Sequence, residues 1–289
     1  MTVDSVGSFD FEKAFFELKA NIKCSPIKKA YLYTGTPEKK GVFLGDVKLS
    51  KTALKGLGLT VIKVDSVSFC PSKWDPKASM IFIPGATGED LDRDLGNQKE
   101  SIFNYVKKGG GIYTLCGATY WVSQNTFFLR SNGTVIEAKN EFPLCPALAK
   151  GPLVPNPHKD KEDYFPTAVE LEVPYHHQSL SIKVGVNGGG SFVMNTQSEN
   201  YKPFGRYVKV LHSDQSVPKE LEVAGMRCKI GKGIAMLSMT YANIDDSEYN
   251  YPYLEEKYPG NWTSVKEALS NAWPRKFYFA LQILQLINR

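Results

Sequence analysis

No stretch of the 289 residues approaches 18 consecutive apolar positions, so the sequence offers no membrane-spanning helix. The opening residues, MTVDSVGSFDFEKAF, lack a basic segment followed by an apolar core, and no secretory signal is read there. Five cysteines (Cys24, Cys70, Cys116, Cys145, Cys228) are scattered and odd in number, with no CxxC pair. That spacing speaks against a disulfide framework and against a zinc site, and it predicts no metal and a reducing, cytoplasmic setting. The net charge is only +5, and no dense basic run or aromatic–basic stripe occurs. Neither nucleic acid nor a membrane surface is therefore an expected partner. Internal repeats and low-complexity tracts are also missing. What remains, 42% hydrophobic and 22% charged, is the composition of an ordinary globular protein long enough for one large domain or two small ones.

Periodicity organises the first half. Phe11 to Ala20 reads as an amphipathic helix with Phe11, Phe15 and Leu18 on one face. Ala30–Thr34, Leu59–Val64 and Ser79–Ile83 read as apolar strands. Asp46 stands where it can cap a helix running to about Leu57, and Gln98–Lys108 reads as a helix with Ile102, Phe103 and Val106 facing inward. This alternation predicts a three-layer α/β fold, a mostly parallel sheet flanked by helices, with ligands at the carboxyl ends of its strands. The second half reads differently. Short β-like runs at Thr134–Ala138, Leu180–Val186, Ser191–Val193, Tyr207–Leu211, Ala224–Ile230 and Ile234–Leu237 are punctuated by Gly and Pro, including Pro152, Pro155, Pro157 and Gly188–Gly190. They are expected to extend or decorate the first sheet within a single domain spanning 1–289. From Trp262 the chain reads as helical again, and residues 246–289 are expected to form a helical extension docked on the core through Phe277, Leu281, Leu284 and Ile287.

The segment GGIYTLCGATYW (110–121) carries the most chemical information. A buried strand, Ile112–Leu115, ends at Cys116, and the small residues Gly117 and Ala118 permit a sharp strand-to-helix turn. Such a nucleophile elbow presents one side chain at the carboxyl edge of a sheet with a helix N-terminus aimed at it. A thiol there is expected to gain thiolate character and to be the first of the five cysteines alkylated, unless Tyr120 and Trp121 cover it. A buried structural cysteine is the competing reading, because free cysteine is among the most buried residue types.

Five segments together resemble a known family. IFIPGATGEDLDRDL (81–95), IFNYVKKGGGIYTLCGATYW (102–121), LAKGPLVPN (148–156), VNGGGSFV (186–193) and CKIGKGIAMLS (228–238) follow one another as in the N-terminal domain of eukaryotic-type biotin-protein ligases, itself similar to class I glutamine amidotransferases. The resemblance spans roughly residues 29–245. It implies a class I glutamine amidotransferase-like fold and places Cys116 at the nucleophile position. It also implies that backbone N–H groups of Gly117 and of Gly85 or Ala86 form an oxyanion hole. The His base and its Glu partner are expected after the GKG strand, where this chain has Tyr241 and Asn243. Tyrosine titrates near pH 10 and is a poor base at neutrality, so glutamine hydrolysis by a Cys–His–Glu triad is not expected. A GRGRxxR-type adenylate loop, which biotin ligation requires in this family, is missing from these residues, and Gly205-Arg206 stands alone. The resemblance therefore implies the ligase's accessory domain without its catalytic domain.

Other groups complete the candidate set. Tyr175-His176-His177-Gln178 holds the one His pair, read as a surface turn, with His177 as a candidate to approach Cys116. His158 and His212 read as structural or exposed. Asp90, Asp92, Arg93 and Asp94 follow the Pro84–Gly88 loop, and their simplest reading is helix capping and surface pairing. Arg93 and Asp94 are the sharper candidates for substrate contact, Arg93 as an anion ligand. Gly188–Gly190 lacks the Lys-Ser/Thr of a phosphate loop and reads as a site of close backbone approach. Three functions follow: a binding or regulatory domain for an unknown small molecule or protein, a Cys116-dependent hydrolase or amidase, or an accessory partner of a separate biotin ligase or carboxylase. No cofactor is expected.

Overall fold

The computed structural model describes residues 9–36, 41–154, 166–194, 198–211, 217, 221–243 and 259–288. The expectations for Pro155, Pro157, His158 and His212 lie outside the described residues.

Strands β3 (Ser79–Ile83) and β4 (Gly111–Leu115) are buried at every position, the signature of sheet covered on both faces. They lie at the middle of a seven-stranded sheet in the order β11-β13-β14-β4-β3-β1-β2, completed by β1 (Lys29–Tyr33), β2 (Thr60–Val64), β11 (Tyr201–Pro203), β13 (Gly225–Ile230) and β14 (Gly233–Ser238). The five strands from β14 to β2 run parallel, and β13 and β11 add an antiparallel edge. The parallel α/β framework is thus the one that the alternation of the first half predicts.

The helices cover it as their apolar stripes dictate. Helix α1 (Phe11–Cys24), capped by Asp10 accepting from the Lys13 N–H at 2.9 Å, buries Ala14, Leu18 and Ile22. α2 (Leu44–Gly56), α3 (Gly88–Leu95) and α5 (Gly117–Val122) follow β1, β3 and β4, and α4 (Lys99–Lys107) follows α3 and leads into β4. After α6 (Pro259–Ala268), the last helix, α7 (Trp273–Ile287), has Pro274 in its first turn, where a missing N–H costs nothing. Phe279 of α7 meets the stacked rings of Phe82 and Tyr113 edge-on, and the Tyr113 hydroxyl donates to Gln282 Oε1 at 2.9 Å. Phe277 joins Phe9, Phe11 and Tyr175 in an aromatic cluster that ties α7 to α1.

One expectation needs correction. The N-cap of α2 is Phe43, not Asp46; Asp46 lies inside the first turn and is buried. The later strands both extend and decorate the sheet, as expected. β13 and β14 join it, whereas β5 (Ser123–Leu129), β6 (Val135–Lys139), β7 (Cys145–Gly151) and β10 (Ser191–Val193) form a second sheet in the order β10-β7-β5-β6. β8 (Pro166–Tyr175), β9 (Gln178–Asn187) and β12 (Arg206–Val210) form a third.

Phe277 is fully buried at the junction of α1, α7 and the β8–β9 hairpin. Phe277→Ala is expected to cost about 3–5 kcal/mol, read as a lowered urea midpoint with an unchanged m-value.

Candidate active site around Cys116

Cys116 leaves β4 with φ 50° and ψ −120°, a left-handed conformation that a non-glycine residue adopts only when its surroundings enforce it. The enforcement is visible. The Cys116 N–H donates to the Ser238 carbonyl of neighbouring β14 at 2.8 Å, and its own carbonyl accepts from the Thr119 N–H at 2.9 Å. The Thr119 hydroxyl lies 3.0 Å from that of Thr114 and 3.2 Å from the Ser238 carbonyl, which locks the turn from below. Gly117 opens α5 pressed against the Pro84–Gly88 loop so closely that a Cβ there would collide with the Ala86 carbonyl oxygen. The loop is held from the other side by the Phe43 N–H, which donates to the Gly85 carbonyl at 3.0 Å.

Cys116 opens onto a cavity of about 610 Å³. Ala86, Thr87, Gly88 and Gly117 line it at the sheet edge, Tyr120 and Trp121 from α5, and Thr126, Phe128, Ile136 and Ala138 from the second sheet. The second sheet is thus the outer wall of the site. Its polar side chains are largely spent on backbone: Ser123 donates to the Thr119 carbonyl, Thr126 to the Tyr120 carbonyl, and Asn140 to the Trp121 carbonyl. The Tyr120 hydroxyl donates to the Gly189 carbonyl at 3.0 Å, and a Cβ on Gly151 or Gly190 would strike that hydroxyl. The glycine-rich segment therefore is a place of close approach, made to admit Tyr120. Charge gathers at the rim in pairs, Lys99 with Asp92 at 2.6 Å and Arg130 with Glu89 at 2.8 Å. Lys99 also lies 5.2 Å from the Trp121 ring centroid, and its hydrogen bond holds the Asp92 carboxyl below the usual carboxylate range.

The thiol itself departs from expectation. Its partial exposure to the cavity does not offset the protein packed around it: burial pushes the Cys116 thiol up to about 11. A hydrogen bond with Tyr241 and one from the Gly117 N–H act the other way, while the Asp46 charge adds to the rise. The turn and its backbone donors are present, but desolvation outweighs them, and Cys116 is a thiol rather than a thiolate at neutral pH.

The sequence-derived residues divide. Tyr241 hydrogen-bonds the Cys116 sulfur. Asn243 is buried, but its Nδ2 donates to Ser50 Oγ of α2 at 3.0 Å, and its Oδ1 finds no hydrogen-bond partner among the described residues. Of the expected oxyanion donors, Gly117 and Ala86 line the cavity, whereas Gly85 lies beneath it against Asp46 and Tyr241. Arg93 and Asp94 do not line the cavity. Arg93 is tied to Asp90 and Asp94 at 2.7 Å each, and Asp94 accepts from the Tyr33 hydroxyl at 3.3 Å on the side facing Gly41. His177 is at the tip of the β8–β9 hairpin, as a surface turn should be. That strand reaches the cavity only at Asn187, roughly 30 Å away at a strand's usual rise, so His177 does not supply a base to Cys116. Three contributors went unseen in the sequence: Asp46, which reads as a cap there, and Lys99 and Arg130, which belong to no motif.

Together the parallel sheet, the elbow and the neighbouring glycine loop define an α/β domain with a cavity at the carboxyl edge of its central strands. The profile of the family described as biotin-protein ligase, N terminal, matches residues 46–288, and the chain belongs to that family. A biotin-protein ligase of Schizosaccharomyces pombe is 26% identical over 183 residues, covering 61% of this chain; the chain spans about a quarter (27%) of that ligase's length. An uncharacterized protein of Chlamydia muridarum is 30% identical over 80 residues, 27% of this chain and 31% of its own. Among solved structures, a GMP synthase-type protein of Thermoplasma acidophilum overlays 85% of this chain and 98% of its own with a TM-score of 0.46 at 12% identity. A ThuA-like protein of Bacteroides uniformis overlays 83% and 92% with a TM-score of 0.46 at 13% identity.

Labelling of Cys116 by iodoacetamide is expected to follow a titration with its midpoint near 11, because only the thiolate reacts. At pH 7 the exposed Cys24 should be labelled first. Mass spectrometry of graded labelling checks both statements; a midpoint near neutrality for Cys116 would contradict them.

Proposed function

We propose that this chain is a ligand-binding domain of the biotin-protein ligase N-terminal family. In this reading the Cys116 cavity takes a small molecule, and the 289 residues themselves carry out neither biotin ligation nor glutamine hydrolysis. The observation that carries the reading is the combination at Cys116: a well-formed cavity of about 610 Å³ beside a thiol that burial keeps protonated, with the Tyr241 hydroxyl rather than an imidazole at its sulfur. A Cys–His pair works because imidazole removes the thiol proton near pH 7 and returns it to the leaving amine. Tyr241 has no such basicity at that pH, and the Asn243 amide is engaged with Ser50 instead of orienting a base. The cavity favours a compound with an apolar body, since Tyr120, Trp121, Phe128, Ile136 and Ala138 form much of its wall and the hydroxyls of Ser123 and Thr126 are bonded to backbone.

Two measurements test this. The purified chain should release no ammonia from glutamine and transfer no biotin to an acceptor with ATP; glutaminase turnover abolished by Cys116→Ser would refute the first half. The fluorescent apolar anion 1-anilinonaphthalene-8-sulfonate should bind with one site per chain. Ala138→Trp, which puts a ring into the cavity, should weaken that binding tenfold or more, and unchanged affinity would place the ligand elsewhere.

A further inference from the structure

The second sheet ends on β6, and that strand is an open edge: β5 is its one strand neighbour, and most of its residues are exposed. Register fixes which backbone groups are spent. The Arg130 N–H donates to the Thr134 carbonyl at 2.8 Å and the Asn140 N–H to the Gln124 carbonyl at 2.9 Å, so the even-numbered residues of β6 bond inward to β5. Bonded and unbonded pairs alternate along an antiparallel ladder, and Val135, Glu137 and Lys139 therefore turn their N–H and C=O groups to the open edge. Such an edge is a template for another strand unless the protein blunts it.

The edges of the described sheets other than β6 are blunted or carry charge of a single sign. β10 and β11 are three residues long, and β11 ends in Pro203. β12 has a bulge between Tyr207 and Lys209, and β9 spends its Gly185 carbonyl on the Tyr241 N–H. β2 and β9 each carry a lone lysine, Lys63 and Lys183, and β12 carries Arg206 and Lys209. Among these edge strands only β6 has both signs, Glu137 and Lys139. Both are exposed, and neither makes an ion pair among the described residues.

We propose that β6 is a homodimer interface, pairing antiparallel with β6 of a second copy about a twofold axis at Ala138. Charge chooses the register. An axis at Glu137 sets that residue against its own copy, and an axis at Lys139 sets lysine against lysine; both place like charges face to face. An axis at Ala138 sets Glu137 opposite Lys139 of the second copy, and the reverse. Each of those pairs then exchanges both N–H···O bonds and joins opposite charges. Val135, 47% exposed, lies diagonal to Lys139 of the second copy, within reach of its methylene stem. The surface is self-complementary, so every contact occurs twice. Ile136 and Ala138 line the Cys116 cavity, and the joined sheet carries the wall of one cavity into that of the other. The pairing does not depend on whether the cavity holds a ligand.

Multi-angle light scattering of the purified chain over a dilution series tests the pairing. Twice the mass of one chain is expected at high concentration, falling to that of one chain on dilution. Glu137→Lys or Lys139→Glu alone sets like charges opposite each other and should raise the dimer dissociation constant tenfold or more. The double variant Glu137→Lys/Lys139→Glu restores opposite pairs and should regain the dimer. Glu137→Pro removes an N–H that points to the open edge and leaves the ladder to β5 bonded. It should give a monomer with an unchanged far-UV circular dichroism spectrum. In a Cys24→Ser chain, Ala138→Cys should be oxidised by diamide to a disulfide-linked dimer, because the axis sets the two copies of that residue opposite each other. The mass of one chain at every concentration overturns the proposal. So does a dimer indifferent to the single charge reversals and to Glu137→Pro, a double variant as monomeric as either single one, or a dimeric Ala138→Cys chain that fails to cross-link.

Discussion

Between Gly117 and the Ala86 carbonyl there is no room for a side chain, and the rest of the site depends on that contact. It brings the end of β4 against the loop after β3, holding Cys116 at φ 50° while the loop carries Gly85 over Asp46 and Tyr241. A larger residue at 117 would push loop and elbow apart, and the cavity would lose its floor. The backbone strain at Cys116 is sustained by hydrogen bonds to Ser238 and Thr119, so the cost of the turn is met within the sheet, not by any ligand.

Desolvation and dipole compete at the thiol, and the structure shows which prevails. The elbow supplies backbone N–H groups, which favour thiolate, but Cys116 is ringed by Tyr120, Tyr207, Tyr241 and the Asp46 carboxylate. Three phenols and an acid provide no positive charge, and two of the cations that line the cavity, Lys99 and Arg130, are paired with Asp92 and Glu89. The elbow at Cys116 thus has the backbone shape of a strand-to-helix nucleophile turn, with surroundings that keep its thiol protonated.

The framework was legible because it follows from local patterning. Ser79–Ile83 and Ile112–Leu115 are uninterrupted apolar runs of strand length, and the glycines that end them mark where loops meet. Cys116 was legible as the residue between such a strand and two small residues. Asp46 was not: an acid near the start of an amphipathic helix looks the same whether it caps that helix or turns inward, and only the tertiary approach of Gly85 distinguishes the two. Arg93 misled for the converse reason. Its place after the glycine loop suggested the rim, but helix α3 turns it toward Asp90 and Asp94 and gives the cavity Glu89 and Asp92 instead. The second sheet escaped notice in part because β5 continues directly from α5 with no Gly or Pro between them.

The hydrogen bond from the Cys116 N–H to the Ser238 carbonyl joins residues more than a hundred positions apart in the chain. Between them lie both accessory sheets, which must be formed or looped out before β14 reaches β4. The strained turn therefore has no stable existence in a nascent chain that ends before β14. Closing so long a loop carries a large entropic cost, and contacts of that separation form slowly. The reactive geometry at Cys116 is a late product of folding, and a chain truncated ahead of residue 233 would hold the residues of the elbow without its shape.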